Sequence, residues 1–268
     1  MSIRTFSYGA GVQSTAAMVL ASQGKVDFQT FIFANVGANS EDPRTLAYLS
    51  EIAIPFAERN GIFLVEVWYE RKRLKQRETL TDYIYRTRKS IAIPAVQARI
   101  GGARSRRTCT STFKIKPIAD WQKANGATAA NPAVTGLGIS VDEFHRAKTD
   151  SGIPWQVLEY PLLDLRLSRR DCEKIIKDAG LPIPPKSSCF FCPFHNRNDW
   201  VRLKAERPEL FDKAVDIENT INAKGTDFGR FGLRLHPSRV PLAQAVGDQI
   251  ELLPADDMDN CESGYCMV

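Results

Sequence analysis

The sequence predicts an α/β fold: a doubly wound parallel sheet carrying a basic insertion and a helical, cysteine-containing C-terminal appendage. Three observations support this. Short apolar runs alternate with helical patterns over residues 3–67, the arrangement of parallel strands covered on both faces. A glycine-containing turn, Tyr8-Gly9-Ala10-Gly11, joins the first run to the first helical pattern, where such sheets bind anions. Beyond residue 180 the runs give way to a proline-rich link, a Cys-x-x-Cys pair and amphipathic segments.

Taken in order, residues 3–7 are a short strand, and 12–22 a helix with Ala16, Ala17, Val19 and Leu20 on one side. Residues 28–34 form a second strand, Pro43 opens a helix running to about residue 59, and 61–67 form a third strand. The alternation then breaks. Residues 68–108 are basic and irregular, with helix near 80–89, and read as an insertion or lid near the site. A helix over 113–125 holds Pro117 in its first turn, and strands follow at 133–139 and 157–162. Ser168 is an N-cap for a helix over 169–179 that ends at Gly180. The link 181–185 leads to Cys189 and Cys192, then to amphipathic segments at 198–206 and 208–222 and an irregular tail. The α/β domain is accordingly placed at 1–180 and the appendage at 181–268.

The chain has 268 residues, 43% hydrophobic and 25% charged, enough for a sizeable core and far from the composition of a disordered chain. No run approaches the roughly 20 apolar residues that span a bilayer, and the N-terminal segment lacks the pattern of a secretory signal. A cytoplasmic protein with no membrane partner is expected. The net charge of +5 is clustered, at Arg71, Lys72, Arg73, Lys75 and Arg77 and again at Arg99, Arg104, Arg106 and Arg107. Such clusters meet phosphates or simply form a solvated basic face.

The glycine turn admits several readings. A Walker A loop requires a Lys before its Ser/Thr, and none is present in Gly11-Val12-Gln13-Ser14-Thr15. A dinucleotide fingerprint requires a third small residue where Ser14 stands and an acid at the end of the second strand, where Asn35 stands. A tight structural turn and a pyrophosphate-grasping loop remain. Among the six cysteines, Cys189 and Cys192 can give two thiolates to one metal or cluster, with Cys109 as a third. Structural zinc and core thiols without a ligand are the alternatives. Cys172 sits in a helical pattern and reads as buried.

Several motifs, in order, resemble one superfamily. Ala10-Gly11-Val12-Gln13-Ser14 resembles a Gly-Gly-x-Asp-Ser loop, with Ala for the first Gly and Gln for Asp. The stretch 33–45 resembles that superfamily's second-strand motif, and Gly138-Ile139-Ser140-Val141-Asp142-Glu143-Phe144-His145-Arg146 resembles its Gly-Ile-Ser-x-Asp-Glu-x-x-Arg motif. Residues 109–117, 160–164, 184–195 and 261–266 resemble later motifs. The superfamily is that of phosphoadenosine phosphosulfate reductase-like proteins, the adenine nucleotide alpha hydrolases with a Rossmann-like fold. Within it the chain resembles the PP-loop ATP pyrophosphatases of DNA phosphorothioation, of the SspD and DndC type, and their phage relatives.

The resemblance implies ATP and Mg²⁺ as cofactors, with release of pyrophosphate. It places Ser7, Gly9, Gly11, Gln13, Ser14, Thr15, Asn35, Gly37, Gly138 and Lys114 around the nucleotide, with Gln13, Ser14, Asp142 and Arg146 in catalytic roles. It implies a [4Fe–4S] cluster on Cys109, Cys189 and Cys192, with zinc as the alternative and Cys172, His195 or the tail as a further ligand. Cys261 and Cys266 become a sulfur relay on the tail, the alternative being an exposed tail without a role. The implied reaction adenylates an oxygen of nucleic acid, DNA in preference to tRNA, for replacement by sulfur from a cysteine desulfurase; a homodimer is compatible with this. The basic insertion is the candidate nucleic-acid contact. The competing functions are a reductase of adenylylated sulfate, a tRNA thiolation enzyme, and a nucleotide-binding module disabled by Gln13.

Overall fold

A computed structural model describes residues 3–247, so the relay candidates Cys261 and Cys266 lie outside the described residues. Strands β1 (Arg4–Ser7), β2 (Thr30–Asn35) and β3 (Phe63–Trp68) alternate with helices α1 (Val12–Ser22), α2 (Pro43–Tyr48) and α3 (Ile54–Arg59), the last two joined by a π-helical turn at Leu49–Ala53. A small hairpin of β4 (Glu70–Arg71) and β5 (Gln76–Arg77), helix α4 (Leu80–Arg86) and strand β6 (Val96–Gln97) make up the insertion. The chain continues through α5 (Thr108–Thr110), a π-helical turn (Ser111–Ile115), α6 (Lys116–Ala124), β7 (Ala133–Leu137), a 3-10 turn (Val141–Arg146) and β8 (Gln156–Glu159). It ends with α7 (Pro161–Asp164), α8 (Arg169–Asp178), α9 (Arg197–Glu206), α10 (Pro208–Ala223), β9 (Leu233–Arg234) and α11 (Leu242–Ala245). No helix among the described residues is long and apolar enough to cross a membrane.

Five strands form one parallel sheet in the order β3-β2-β1-β7-β8, the doubly wound α/β arrangement that the sequence predicts. Its first face carries Phe6, Phe31 and Phe33, packed against α1, the α2–α3 segment and α8. Phe6 stacks on Phe31 at 5.0 Å and meets Phe28 edge-on at 5.6 Å. Glycine is required opposite them in β7: a Cβ on Gly136 would lie 2.5 Å from the Phe6 ring and 2.8 Å from that of Phe28. The second face packs Ile32, Ala34 and Val67 against Ile118 and Trp121 of α6. There the buried Gln122 amide donates to Thr5 Oγ1 (2.7 Å) and Thr135 Oγ1 (2.8 Å), so α6 is held to β1 and β7 by satisfied polar groups.

A second core lies beyond the sheet, and the insertion is part of it. Leu80, Ile84 and Ile93 pack with Phe190, Trp200, Phe211, Ile217 and Leu233. β6 pairs antiparallel with β9, and the Lys224 ammonium donates to the carbonyls of Ile84 (2.6 Å) and Ser90 (2.9 Å). The expected irregular lid at 68–108 is thus a packed layer shared with the appendage. Its composition hid this, because the partners that bury it are more than a hundred residues further along the chain.

The two cores are clamped at Asp42. Its carboxylate caps α2 by accepting from Arg44 N (2.9 Å) and takes a two-pronged bond from Arg207 at the start of α10 (2.7 and 3.0 Å). Burial alone would push the Asp42 carboxyl up, but Arg207 and Arg44 outweigh it and hold it below the ordinary carboxylate range. Asp42→Asn should therefore cost about 2 kcal/mol at pH 7, because it takes the charge partner from the half-buried Arg207 guanidinium. The wild-type advantage belongs to the ionised carboxylate. It is present above the unfolded carboxyl value of about 4 and is lost as pH falls through the lowered native value. Urea unfolding at pH 7 and at pH 3 checks this: equal stability of the two proteins at pH 7 would contradict the clamp.

Candidate functional site

The order in which strands are added reverses between β1 and β7. From β1 the chain moves outward to β2 and β3, then returns to the other side of β1 for β7 and β8. Connections that diverge in this way leave a crevice past the carboxyl ends of the strands, which is where open α/β sheets bind ligands. The glycine loop after β1 and the segment 138–146 after β7 meet at this place.

Ser7 ends β1 and Tyr8 is buried beneath the loop, its hydroxyl 3.1 Å from Thr15 Oγ1. Ala10 adopts a left-handed backbone (φ 54°), a conformation that costs a non-glycine residue about 1 kcal/mol. Ser14 Oγ accepts from the amides of Gly9 (3.3 Å) and Gly11 (3.2 Å) and donates to Gly11 O (3.1 Å). The loop is therefore folded onto the first turn of α1, its amide donors gathered around one hydroxyl, the arrangement an anion would take over. Gly138 closes the other wall, since a Cβ there would stand 3.2 Å from Ser14 N and 3.4 Å from Gln13 Cβ.

The 3-10 turn adds charge. Glu143 and Arg146 form a buried ion pair at 2.6 Å, and the Gln13 amide donates to Glu143 Oε2 at 3.5 Å. Asp142 is otherwise engaged: it accepts from Arg169 N (2.5 Å) at the start of α8 and from Ser140 Oγ (3.3 Å). Gln13, Glu143 and Arg146 are brought together at the loop, whereas the Asp142 carboxylate anchors α8. On the other flank Asn35 shapes the turn after β2, accepting from Gly37 N (2.7 Å) and donating to Glu66 Oε1 (2.5 Å). Gly37 has φ +108°, and a Cβ there would fall 2.4 Å from Thr79 Cβ, so only glycine fits.

Cys109, Cys189 and Cys192 line one small cavity of about 30 Å³, together with Arg107, Lys114, Phe191 and Phe194. Cys109 comes from α5, while the other two arrive on a strap: Asp42 N donates to Ser188 O (3.1 Å) and Phe190 N to Ser40 O (3.2 Å). Arg107 and Arg104 both lie over the Phe194 ring, at 5.3 and 4.9 Å, and of the two Arg107 lines this cavity. Lys114, buried on the π-helical turn, lines this cavity and also a second one beside Ser7, Thr135 and Leu137. Cys172 is elsewhere, fully buried in the first core with its thiol pushed up to about 12 by burial, as its helical pattern predicts.

The three thiols share the lining of one cavity. Among the described residues no three His, Cys, Asp or Glu side chains surround a single metal ion. Around the glycine loop, Asp142 and Glu143 already have protein partners.

Sequence reasoning passed over Ser187 and Ser188. A Cβ on Gly11 would lie 3.9 Å from Ser187 Cβ, Ser188 carries the strap, and Cys189 faces the thiol cavity. Two residues of chain span at most about 7 Å, so the glycine loop and the thiols are neighbours. The signal was the Pro-Pro-Lys-Ser-Ser-Cys run itself, whose extended prolines hold it straight.

No protein-family model matches the chain, and no curated protein matches it. Among solved structures, the phosphate complex of phosphoadenylyl-sulfate reductase from Candida auris is similar, with a TM-score of 0.45 and 10% identity over 69% of this chain and 76% of that one. A likeness at this level says nothing about substrate or residue roles.

His195 closes the strap. Its Nε2 lies 2.9 Å from Ser188 Oγ and its ring meets Trp200 edge-on at 4.8 Å. Burial lowers its pKa to about 4, so it is neutral at pH 7. Between about 4 and its unfolded value near 6.5 the unfolded chain binds the extra proton, so stability should fall as pH drops through that window. His195→Gln should flatten this slope. Urea midpoints at pH 7 and pH 5 measure it, and an unchanged wild-type-like slope in the variant would refute the assignment.

Proposed function

We propose that the chain is an ATP pyrophosphatase that activates a nucleic-acid oxygen for replacement by sulfur. The observation that carries this is the adjacency just described: the amide-rich loop at the switch point lies beside Ser187, which a Cβ on Gly11 would reach at 3.9 Å, and Cys189 of the three-thiol cavity follows two residues later. An activating site and a sulfur site that share one strap are what such a two-stage reaction needs.

In this reading residues 9–15 hold the triphosphate, with the Gly9 and Gly11 amides exchanging Ser14 Oγ for phosphate oxygens. Asn35 and Gly37 border the adenosine. Arg146 and Lys114 meet the charge that builds as the bond between the α and β phosphorus atoms breaks, a role for fixed cations in a partly buried site. An oxygen of the target attacks the α phosphorus, pyrophosphate leaves, and the adenylate so formed departs when a sulfur nucleophile replaces it. Cys109, Cys189 and Cys192 would hold a [4Fe–4S] cluster, zinc being the alternative; such a cluster supplies a coordination position for sulfur. A cysteine desulfurase is the fitting sulfur source, and the motifs favour DNA phosphorothioation over tRNA thiolation.

Gly11→Val combined with Ser14→Ala should abolish ATP binding by calorimetry and pyrophosphate release, with far-ultraviolet circular dichroism unchanged. Unaltered affinity would remove the glycine loop from the site. Binding by the wild type without pyrophosphate release, target and sulfur donor present, would reduce the chain to a nucleotide-binding module. Anaerobic purification should yield iron and acid-labile sulfide in the wild type, and neither in Cys189→Ser, which should still bind ATP. Zinc in place of iron would identify the alternative metal.

A further inference from the structure

A third cavity, of about 430 Å³, opens at the outer rim of the sheet. It lies between the end of β3, the β4–β5 hairpin and the first turns of α6. Its volume is in the range that holds a small organic ligand, roughly 300–1,000 Å³. β3 is the edge strand and stands two strands from β1, about 10 Å at the usual inter-strand spacing, so this is not the crevice of the glycine loop.

The walls combine two chemistries. Trp68 and Trp121, both half-buried, supply aromatic surface, and the Arg77 guanidinium lies 5.4 Å from the centre of the Trp68 ring. The Trp68 indole nitrogen is buried with no acceptor, an unmet donor in the wall. Around the rings, two of the acids are already engaged: Glu66 takes the Asn35 amide and Asp120 pairs with Lys116. Lys72 and Lys75, at the exposed turn of the hairpin, have no carboxylate partner among the described residues. Lys75 also holds a left-handed backbone (φ 48°) that a lysine rarely adopts.

Indole surface flanked by lysines without counter-charges recognises a planar ring joined to a phosphate. We propose that this edge cavity binds a nucleotide, its base against Trp68 and Trp121 and its phosphate at Lys72, Lys75 and Arg77. The cavity opens at the sheet edge, so the nucleotide can be one unit of a single strand as readily as a free monophosphate. This proposal stands on the cavity alone and does not depend on the glycine loop binding ATP.

The test is fluorescence anisotropy of a labelled oligothymidylate of about ten nucleotides, with thymidine monophosphate as competitor. Lys72→Glu with Lys75→Glu, and separately Trp68→Ala, should each weaken the wild-type affinity about tenfold. Arg99→Glu with Arg230→Glu, both of which lie over the Phe231 ring and outside this cavity, should change it less than twofold. Because Lys72 and Lys75 are exposed, their variant should keep the wild-type melting temperature and ATP affinity, which separates this site from the glycine loop. Competition by the monophosphate at matching affinity identifies a free nucleotide as ligand, and binding of the oligonucleotide alone identifies a strand. If neither binds the wild type, or if only the Arg99 and Arg230 changes weaken binding, the proposal is overturned.

Discussion

The strap between residues 40–42 and 188–190 is the constraint on which the rest of the site depends. Its two backbone hydrogen bonds lay Cys189 along the turn that leaves β2, and the Asp42–Arg207 pair locks the start of α10 to the same turn. Backbone bonds fix position independently of side-chain identity, while a buried two-pronged ion pair fixes angle. Together they decide where the second core sits against the sheet. Remove them and the thiols of Cys189 and Cys192 have no reason to face Cys109, which is held from the opposite direction by its own amide bond to Ala92 O at 2.7 Å.

The sheet was legible in the sequence because its elements are local. Phe31 and Phe33 stand two apart, at the strand period, Pro43 and Ser168 mark helix starts, and Gly136 and Gly138 stand where β7 ends. The second core was not legible. Leu80 and Ile84 bury themselves against Phe211 and Ile217, and β6 is two residues long, so neither periodicity nor propensity could place them. The arginines at 104 and 107 show the same limit. As a run of positive charge they resemble a nucleic-acid contact, yet both stack on Phe194, and Arg104 also donates to Pro94 O and Pro193 O. Sequence gives the charge of such a residue but not which long-range partner takes it.

Lys114 illustrates what a π-helical turn contributes. The segment Ser111–Ile115 interrupts α-helical geometry between α5 and α6, and such wide turns recur at functional sites because they redirect one side chain without ending the helix. Here the redirected side chain is a buried lysine that borders two cavities, one holding the thiols and one beside the ends of β1 and β7. A single cation in that position acts on charge arising on either side. It also makes the two cavities electrostatically dependent on each other, since a thiolate in one lowers the field the same ammonium offers to the other.

The departure at Gln13 has a physical reason in the same terms. Position 13 sits in the first turn of α1, with Glu143 Oε2 at 3.5 Å from its amide. An aspartate there would set two carboxylates against each other in a partly buried place, and one would have to take a proton or share a cation. Glutamine instead donates to Glu143, which keeps its own pairing with Arg146 at 2.6 Å. The exchange removes one carboxylate ligand from the neighbourhood of the loop and leaves positive charge there fixed by the protein. In the proposed function a triphosphate would meet Arg146, Lys114 and the amides of the loop, and would depend less on a cation held by acidic side chains. Asp142 fits this reading, since its carboxylate serves the amide of Arg169 at the start of α8 and thereby holds the segment on which Glu143 and Arg146 are carried.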